Sequence, residues 1–220
     1  MKRAIVAGAS RGIGLELVKR LCEEGFEVLA LCRTPNQELA KLPAQVIDGV
    51  DVRDLSQLQG ARDRVKEKEF DLLICNAGIN KRMTIDDLDF LAMEELFAVN
   101  AIAPLKVVET FLPLLHKGSK IALISSRAGS IGDLELPGRY GYRASKTALN
   151  MIGAVLAMDL KERGIAVGLY HPGYVQTDMT EKRGDVSPQK AAHNLVERIG
   201  ELSLDNSGQF FHAAGGTLPW

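Results

Sequence analysis

Tyr142 and Lys146 stand four residues apart in the run Gly141-Tyr142-Arg143-Ala144-Ser145-Lys146-Thr147-Ala148. On a helix, residues four apart share a face, so this spacing sets a phenol beside an ammonium. An unperturbed tyrosine has a pKa of about 10 and is a poor base at neutral pH. A neighbouring cation favours the phenolate and brings the group toward the range useful for acid–base catalysis. Upstream, the pair Ser125-Ser126 ends an apolar run that starts at Ile121. A serine hydroxyl at a strand end can donate to a substrate oxygen and polarise its carbonyl. The chemistry these side chains suggest is proton exchange with an oxygen while hydride moves at the adjacent carbon. Taken alone, a tyrosine–lysine pair is as readily an exposed helix face, so its surroundings decide the reading.

The nearest surroundings are those that would hold a hydride carrier. Ala7-Gly8-Ala9-Ser10-Arg11-Gly12-Ile13-Gly14 lies between an apolar run and an amphipathic stretch. Glycine permits a tight turn and removes the Cβ that would keep a pyrophosphate from the backbone. The helix that follows offers free N–H groups and its positive dipole end. Gly8, Ser10, Arg11, Gly12, Ile13 and Gly14 are therefore expected to cradle a nicotinamide dinucleotide, with GxxxGxG spacing in place of GxGxxG. The end of the second apolar run, Leu31-Cys32-Arg33-Thr34, has no carboxylate to accept a ribose 2′-hydroxyl. Arg33, with Arg11, suits a 2′-phosphate instead, which predicts a preference for NADP(H) over NAD(H). Asp51-Val52 is expected to close the third strand, either against the adenine edge or as a loop cap.

The elements that must position these groups alternate along the chain. Residues 4–7, 28–31, 72–75, 121–124 and 166–169 are near-continuous apolar runs, as in strands covered on both faces. Residues 12–24 carry a helical apolar face and stop at Gly25; residues 142–163 do the same and stop at Gly164. Ser56 is expected to cap a helix running toward residue 69, Ser187-Pro188 to start another, and residues 208–214 to form a last strand. The alternation predicts an α/β fold with a doubly wound sheet and right-handed crossovers. With 220 residues and no linker-like segment, one domain over 1–220 is expected. The glycine- and proline-rich stretches 129–141 and 172–188 read as loops beside a site.

Bulk properties narrow the partners. A net charge of -1 gives no electrostatic case for nucleic acid or an acidic membrane surface. No uncharged run reaches the roughly 18 residues of a membrane span. Strand-like sequence from Lys2 leaves no room for a signal peptide. Cys22, Cys32 and Cys75 are odd in number and lack CxxC spacing, which predicts free thiols in a reducing cytoplasm. His116, His171, His193 and His212 are scattered, and no metal site is expected. Trp220 has two readings, a subunit contact or an anchor for the chain end.

The ordered set of Gly8, Gly12, Gly14, Asp51, Asn76-Ala77-Gly78, Asn100, Ser126, Tyr142, Lys146 and Pro172-Gly173 resembles the short-chain dehydrogenase/reductase family in its small single-domain form. The resemblance covers nearly the whole chain. It implies a seven-stranded parallel Rossmann sheet, and it implies that Asn100 supports a water relay from Lys146 to solvent. It favours Ser126 over Ser125, because the family's serine precedes a turn like Arg127-Ala128-Gly129. It places Asn76, Ala77 and Gly78 at the cofactor, Lys146 on the nicotinamide ribose, and Pro172, Gly173, Val175 and Thr177 by the carboxamide. The ending Gly215-Gly216-Thr217-Leu218-Pro219-Trp220 resembles the C-factor/sniffer-like branch, which includes NADPH-dependent carbonyl reductases and signalling proteins. Two departures stand out: Ala7 replaces the usual threonine, and 129–141 is long and carries Asp133, Glu135 and Arg139. The implied function is reversible NADPH-dependent reduction of a small carbonyl substrate by a cytoplasmic homodimer or homotetramer. The alternative is an NADP(H)-binding sensor working through a protein partner, a role that does not require both Ser126 and Tyr142. An epimerase or dehydratase of the extended relatives is disfavoured, since no second substrate domain follows the sheet.

Overall fold

In the computed structural model, which describes residues 1–220, the apolar runs become β1 (Arg3–Ala7), β2 (Glu27–Leu31), β3 (Gln45–Ile47), β4 (Phe70–Cys75), β5 (Leu115–Ile124), β6 (Ala166–His171) and β7 (Phe210–His212). They form one sheet in the order β3-β2-β1-β4-β5-β6-β7, with every neighbouring pair parallel. The helices are α1 (Gly12–Glu23), α2 (Leu55–Asp63), α3 (Phe90–Phe97), α4 (Ala103–Phe111), α5 (Tyr140–Leu160) and α6 (Pro188–Gly200). Alternate strand residues point to opposite faces, which divides the interior in two. Ile5, Leu73, Ile121 and Val167 pack with Val107 and Phe111 of α4 and Leu149 and Leu160 of α5. Val6, Ala30, Ile74 and Ala122 pack with Leu17 and Leu21 of α1 and Leu195 and Ile199 of α6. Strand order reverses between β1 and β4, so a crevice opens beyond their carboxyl ends, where α/β sheets bind ligands.

Several elements differ from the sequence reading. Helix α2 is capped by Asp54, whose carboxylate accepts from the Ser56 and Gln57 amides at 2.9 and 3.1 Å; Ser56 lies inside it, and it ends at Asp63. Strand β3 stops at Ile47, so Asp51-Val52 lies in the loop beyond it. Helix α5 begins at Tyr140, two residues before Tyr142. Gly25 and Gly164 do take the left-handed conformation expected after a helix, at φ 81° and 70°. The sequence reading had no helix between 76 and 120, where α3, a π turn at Ala98–Ile102 and α4 now run on. The stretch Phe90–Leu114 is long and apolar enough to span a bilayer by length and composition alone, but half of its most apolar window is buried inside the protein. His171 and His212 are neighbours, with ring centroids 5.1 Å apart. Trp220 acts as an anchor: its ring stacks on Phe210 at 5.9 Å, and its carbonyl accepts from the Gly132 amide at 2.7 Å.

Candidate active site

The turn after β1 is built on contact between backbones. A Cβ on Gly8, which sits at φ 89°, would lie 2.6 Å from the Ala77 nitrogen, and one on Gly14 would lie 2.0 Å from the Gly8 carbonyl oxygen. No side chain fits at either position. Asn76 closes the joint: its Nδ2 donates to the Gly8 carbonyl at 2.8 Å, and the Asn76 and Ala77 amides both donate to the Ala7 carbonyl at 3.0 Å. No side chain caps α1 at Arg11, which leaves first-turn amides available to an anion. Gly8, Ser10, Arg11, Gly12 and Ile13 line a cavity of about 430 Å³. Gly14 packs behind them.

At one end of this cavity Arg33 is exposed beyond β2. Asp51 also lines it, yet its carboxylate is held by Arg53 at 2.6 and 3.0 Å. That guanidinium pulls the carboxyl down to about 2. The Asp51 amide donates to Gln57 Oε1 at 2.8 Å. The Asp51 carboxylate thus braces its own loop while the residue and Val52 line the cavity. Arg53, which the sequence reading missed, lines the cavity beside Val52; its signal was the two-residue spacing from Asp51. Arg11 is 3.6 Å from Asp178 of the 172–188 loop, an exposed pair.

At the other end Tyr142 and Lys146 also line the cavity, although only 8% and 4% of their surface is exposed. Lys146 Nζ donates to the Ile124 carbonyl at 2.9 Å. Asn100 is fully buried in the π turn, a distortion frequent at functional sites. Its Oδ1 accepts from the Ile79 amide at 2.9 Å; its Nδ2 donates to the Ile79 carbonyl at 2.9 Å and Ser145 Oγ at 3.0 Å. It thereby ties the turn after Gly78 to α5. A Cβ on Gly78 would lie 3.3 Å from Asn100 Oδ1 and 3.7 Å from Lys146 Nζ, so both polar atoms converge on one piece of backbone.

Ser126 begins a short helical turn over Arg127–Gly129, and its Oγ accepts from the Ala128 amide at 3.2 Å. Ser125 is buried, donates to Asn150 Oδ1 at 2.6 Å and lines the cavity. Thr147 Oγ1 and Asn150 Nδ2 donate to the Gly129 carbonyl at 3.0 and 3.2 Å. These bonds fix the serine turn to the helix that carries Tyr142.

Burial, with Met83 and Leu96 packed around the ring, pushes the Tyr142 phenol above its ordinary range; the Ser126 hydroxyl and the Arg139 guanidinium pull it back. Burial also lowers the Lys146 ammonium to about 8. The Lys146 ammonium is turned to the Ile124 carbonyl, and burial disfavours the charged form of both groups.

Asn76, Ala77, Gly78, Pro172 and Thr177 join the same cavity, as do Ile79, Asn80, Glu95, Val99 and Met179. Ile79 and Asn80 were missed although they follow Gly78 directly; Glu95 and Val99 were missed because α3 and the π turn were. Ser126, Asn100, Gly173 and Val175 are not among the residues that line the cavity, and of the two serines Ser125 is the one that does. Val175 is buried and bridges to Val186. Thr180 folds back to donate to the Val175 carbonyl at 2.6 Å, which closes the turn from which Met179 projects. No group of side chains suited to a metal ion is present.

The sequence model for short chain dehydrogenases matches residues 2–188. The chain is 34% identical over 226 residues to a 1-hydroxy-2-glutathionyl-2-methyl-3-butene dehydrogenase of Rhodococcus sp. (strain AD45), covering 100% of both. It is 36% identical over 153 residues to the C-signal protein of Myxococcus xanthus, covering 68% of this chain and 92% of that one. The NADPH-bound carbonyl reductase from chicken fatty liver superposes with a TM-score of 0.91 at 33% identity, over 100% of this chain and 99% of that one. The carbonyl reductase Sniffer of D. melanogaster does so with a TM-score of 0.90 at 27% identity and the same coverage. A glycine turn that admits a dinucleotide, a buried tyrosine–lysine pair opening into the same cavity, and these similarities over the full chain lead to one statement: the protein belongs to the short-chain dehydrogenase family.

Proposed function

We propose that this protein reduces a ketone or aldehyde carbonyl with NADPH and catalyses the reverse oxidation when NADP is in excess. The residues fit the dinucleotide: the close Gly8–Ala77 and Gly14–Gly8 backbone contacts, which a Cβ would break, hold the turn that lines the cavity, the start of α1 is uncapped by any side chain, and Arg33 is an exposed cation at the end where a 2′-phosphate would lie. When bound, the nicotinamide supplies or accepts hydride. Tyr142 gives its proton to the substrate oxygen in reduction and takes it back in oxidation. Ser126 donates a hydrogen bond to that oxygen and polarises the carbonyl. Lys146 holds the nicotinamide ribose, and Asn100 keeps the backbone beside it in place for a proton relay. Pro172, Gly173, Val175 and Thr177 form the wall by the carboxamide.

One observation carries this reading: Tyr142 and Lys146, though almost buried, reach the cavity that the glycine turn lines. A sensor acting through a protein partner has no need of that arrangement. The test is NADPH oxidation by the purified protein with a panel of aldehydes and ketones, each run also with NADH. Alcohol product with NADPH preferred is expected. Tight NADPH binding with no turnover anywhere in the panel would favour the sensor.

The same proposal extends to assembly and location. Met151, Val155 and Met158 leave one apolar face of α5 exposed, and Ile102 and Leu105 are exposed at the start of α4, which suits a homodimer or homotetramer; light scattering on the purified protein checks this. The three thiols are free, in keeping with a reducing cytoplasm.

A further inference from the structure

The helix that carries Tyr142 fixes the serine turn from one side. Thr147 and Asn150 hold the Gly129 carbonyl, and a Cβ on Gly129 would lie 2.7 Å from the Lys146 carbonyl carbon, so the turn rests directly on the backbone of the tyrosine–lysine pair. Past Gly129 the loop runs outward, with Ile131 and Leu134 exposed. Over residues 130–135 its only hydrogen bonds beyond the loop itself go to Pro219 and Trp220. Ser130 is buried and donates through Oγ to the Pro219 carbonyl at 2.7 Å, and the Gly132 amide donates to the Trp220 carbonyl at 2.7 Å. The fit is close: a Cβ on Gly132 would lie 3.2 Å from that oxygen and 3.3 Å from the Pro219 Cβ. The tail in turn is tied to the edge strand β7. The Leu218 amide donates to the Phe210 carbonyl at 2.7 Å, Thr217 bridges to Phe211, and the Trp220 ring stacks on Phe210. From Ser130 the hold passes back toward the serine. Ser130 Oγ accepts from the Asp133 amide at 3.1 Å, and the Asp133 carboxylate grips two nitrogens of Arg127, the residue after Ser126.

We propose that Ser130 and the tail Leu218–Trp220 are positioning residues for Ser126: they clasp the loop from the side that α5 leaves free and keep the serine hydroxyl aimed at the substrate oxygen. This rests on the reductase reading above. None of these residues lines the cavity, so their effect on the reaction passes through the serine turn and leaves nucleotide binding alone. A loop with few contacts of its own is where local opening concentrates, and a displacement of about 1 Å at a reacting group costs up to about 10²-fold in rate.

The experiment compares wild type with Trp220→Ala, with Trp220→Phe, which keeps a stacking ring, and with Ser130→Ala, each made also in a Ser126→Ala background. Trp220→Ala and Ser130→Ala should lower kcat by about tenfold with the NADPH Kd unchanged, and Trp220→Phe should keep most of the wild-type rate. In the Ser126→Ala background neither alanine substitution should lower kcat further, because the group they position is gone. Hydrogen exchange on the nucleotide-free protein, followed by mass spectrometry, reads the clasp without turnover: the 128–133 amides should exchange faster in Trp220→Ala than in wild type, with those of α5 unchanged. Should Trp220→Ala fail to fold, Ser130→Ala carries the same comparisons. Wild-type kcat in both alanine variants, an equal loss with and without Ser126, or unchanged exchange at 128–133 overturns the clasp while leaving the reductase reading intact. Failure of wild type to turn over any carbonyl overturns the reductase reading and, with it, the role given to the clasp, even where the exchange result is as expected.

Discussion

The two ends of the cavity are built by different physics. At the Arg33 end the working groups are charges at or near the surface: exposed Arg33, half-buried Asp51 held by Arg53, and Arg11 facing Asp178. At the Tyr142 end they are buried and held by backbone: Lys146 by the Ile124 carbonyl, Asn100 by both polar atoms of Ile79. Exposed charges in high dielectric contribute little individually and are screened by salt. Buried groups must be satisfied, and removing one is costly. The first end can therefore change cofactor preference by small steps, while the second holds a geometry that tolerates little change.

The largest expected effect lies at the buried end. Tyr142→Phe should lower kcat by roughly 10³-fold, within the range of general acid catalysis, while the NADPH Kd measured by fluorescence titration stays within about twofold. Comparable loss of both would make Tyr142 a binding residue and remove the contrast.

Lys146→Met sharpens it further. Turnover should fall by about 10²-fold or more, yet the variant should match or exceed wild type in stability at neutral pH. Folding lowers the Lys146 pKa to about 8. Below that value both states carry the proton, and folding must bury a charge. Between about 8 and the ordinary lysine value near 10.4, the unfolded chain holds the proton and the folded one has released it, so wild-type stability rises with pH. Urea melts of both proteins across this window should show wild type gaining on the variant, by up to about 3 kcal/mol. A constant difference would contradict the burial of this charge.

Effects at the exposed end should be smaller and confined to the nucleotide. Arg33→Ala should raise the KM for NADPH by about tenfold and leave that for NADH unchanged. Smallest of all, Asp178→Asn frees Arg11 from a pair worth at most about 1 kcal/mol. About twofold tighter NADPH binding is expected, fading in high salt; weaker binding would show Asp178 to be a ligand-ordering residue instead.

What was legible in the sequence follows the same division. Gly8, Gly14 and Asn76 could be read because the turn they form is a local backbone requirement. Tyr142, Lys146 and Ser126 could be read because helix periodicity and a strand end fix their spacing. Helices α3 and α4 were missed because the stretch from 90 to 114 is apolar on several sides, so no single face marked it as a covered core helix. The direction of the Tyr142 shift was unreadable as well. It is set by Met83 and Leu96, residues brought against the ring only by the closed fold. The bidentate hold of Arg53 on Asp51 and the meeting of His171 with His212 are likewise products of loop closure.

The most direct test of the central claim follows the hydride itself. NADPH deuterated at its transferable position is offered to wild type and to Tyr142→Phe with a turned-over carbonyl substrate, and the alcohol is analysed by mass spectrometry. Wild type should place deuterium on the carbinol carbon, and Tyr142→Phe, binding NADPH equally well, should yield almost no labelled alcohol. Labelled product from that variant at the wild-type rate would contradict the assignment of Tyr142 as the proton donor.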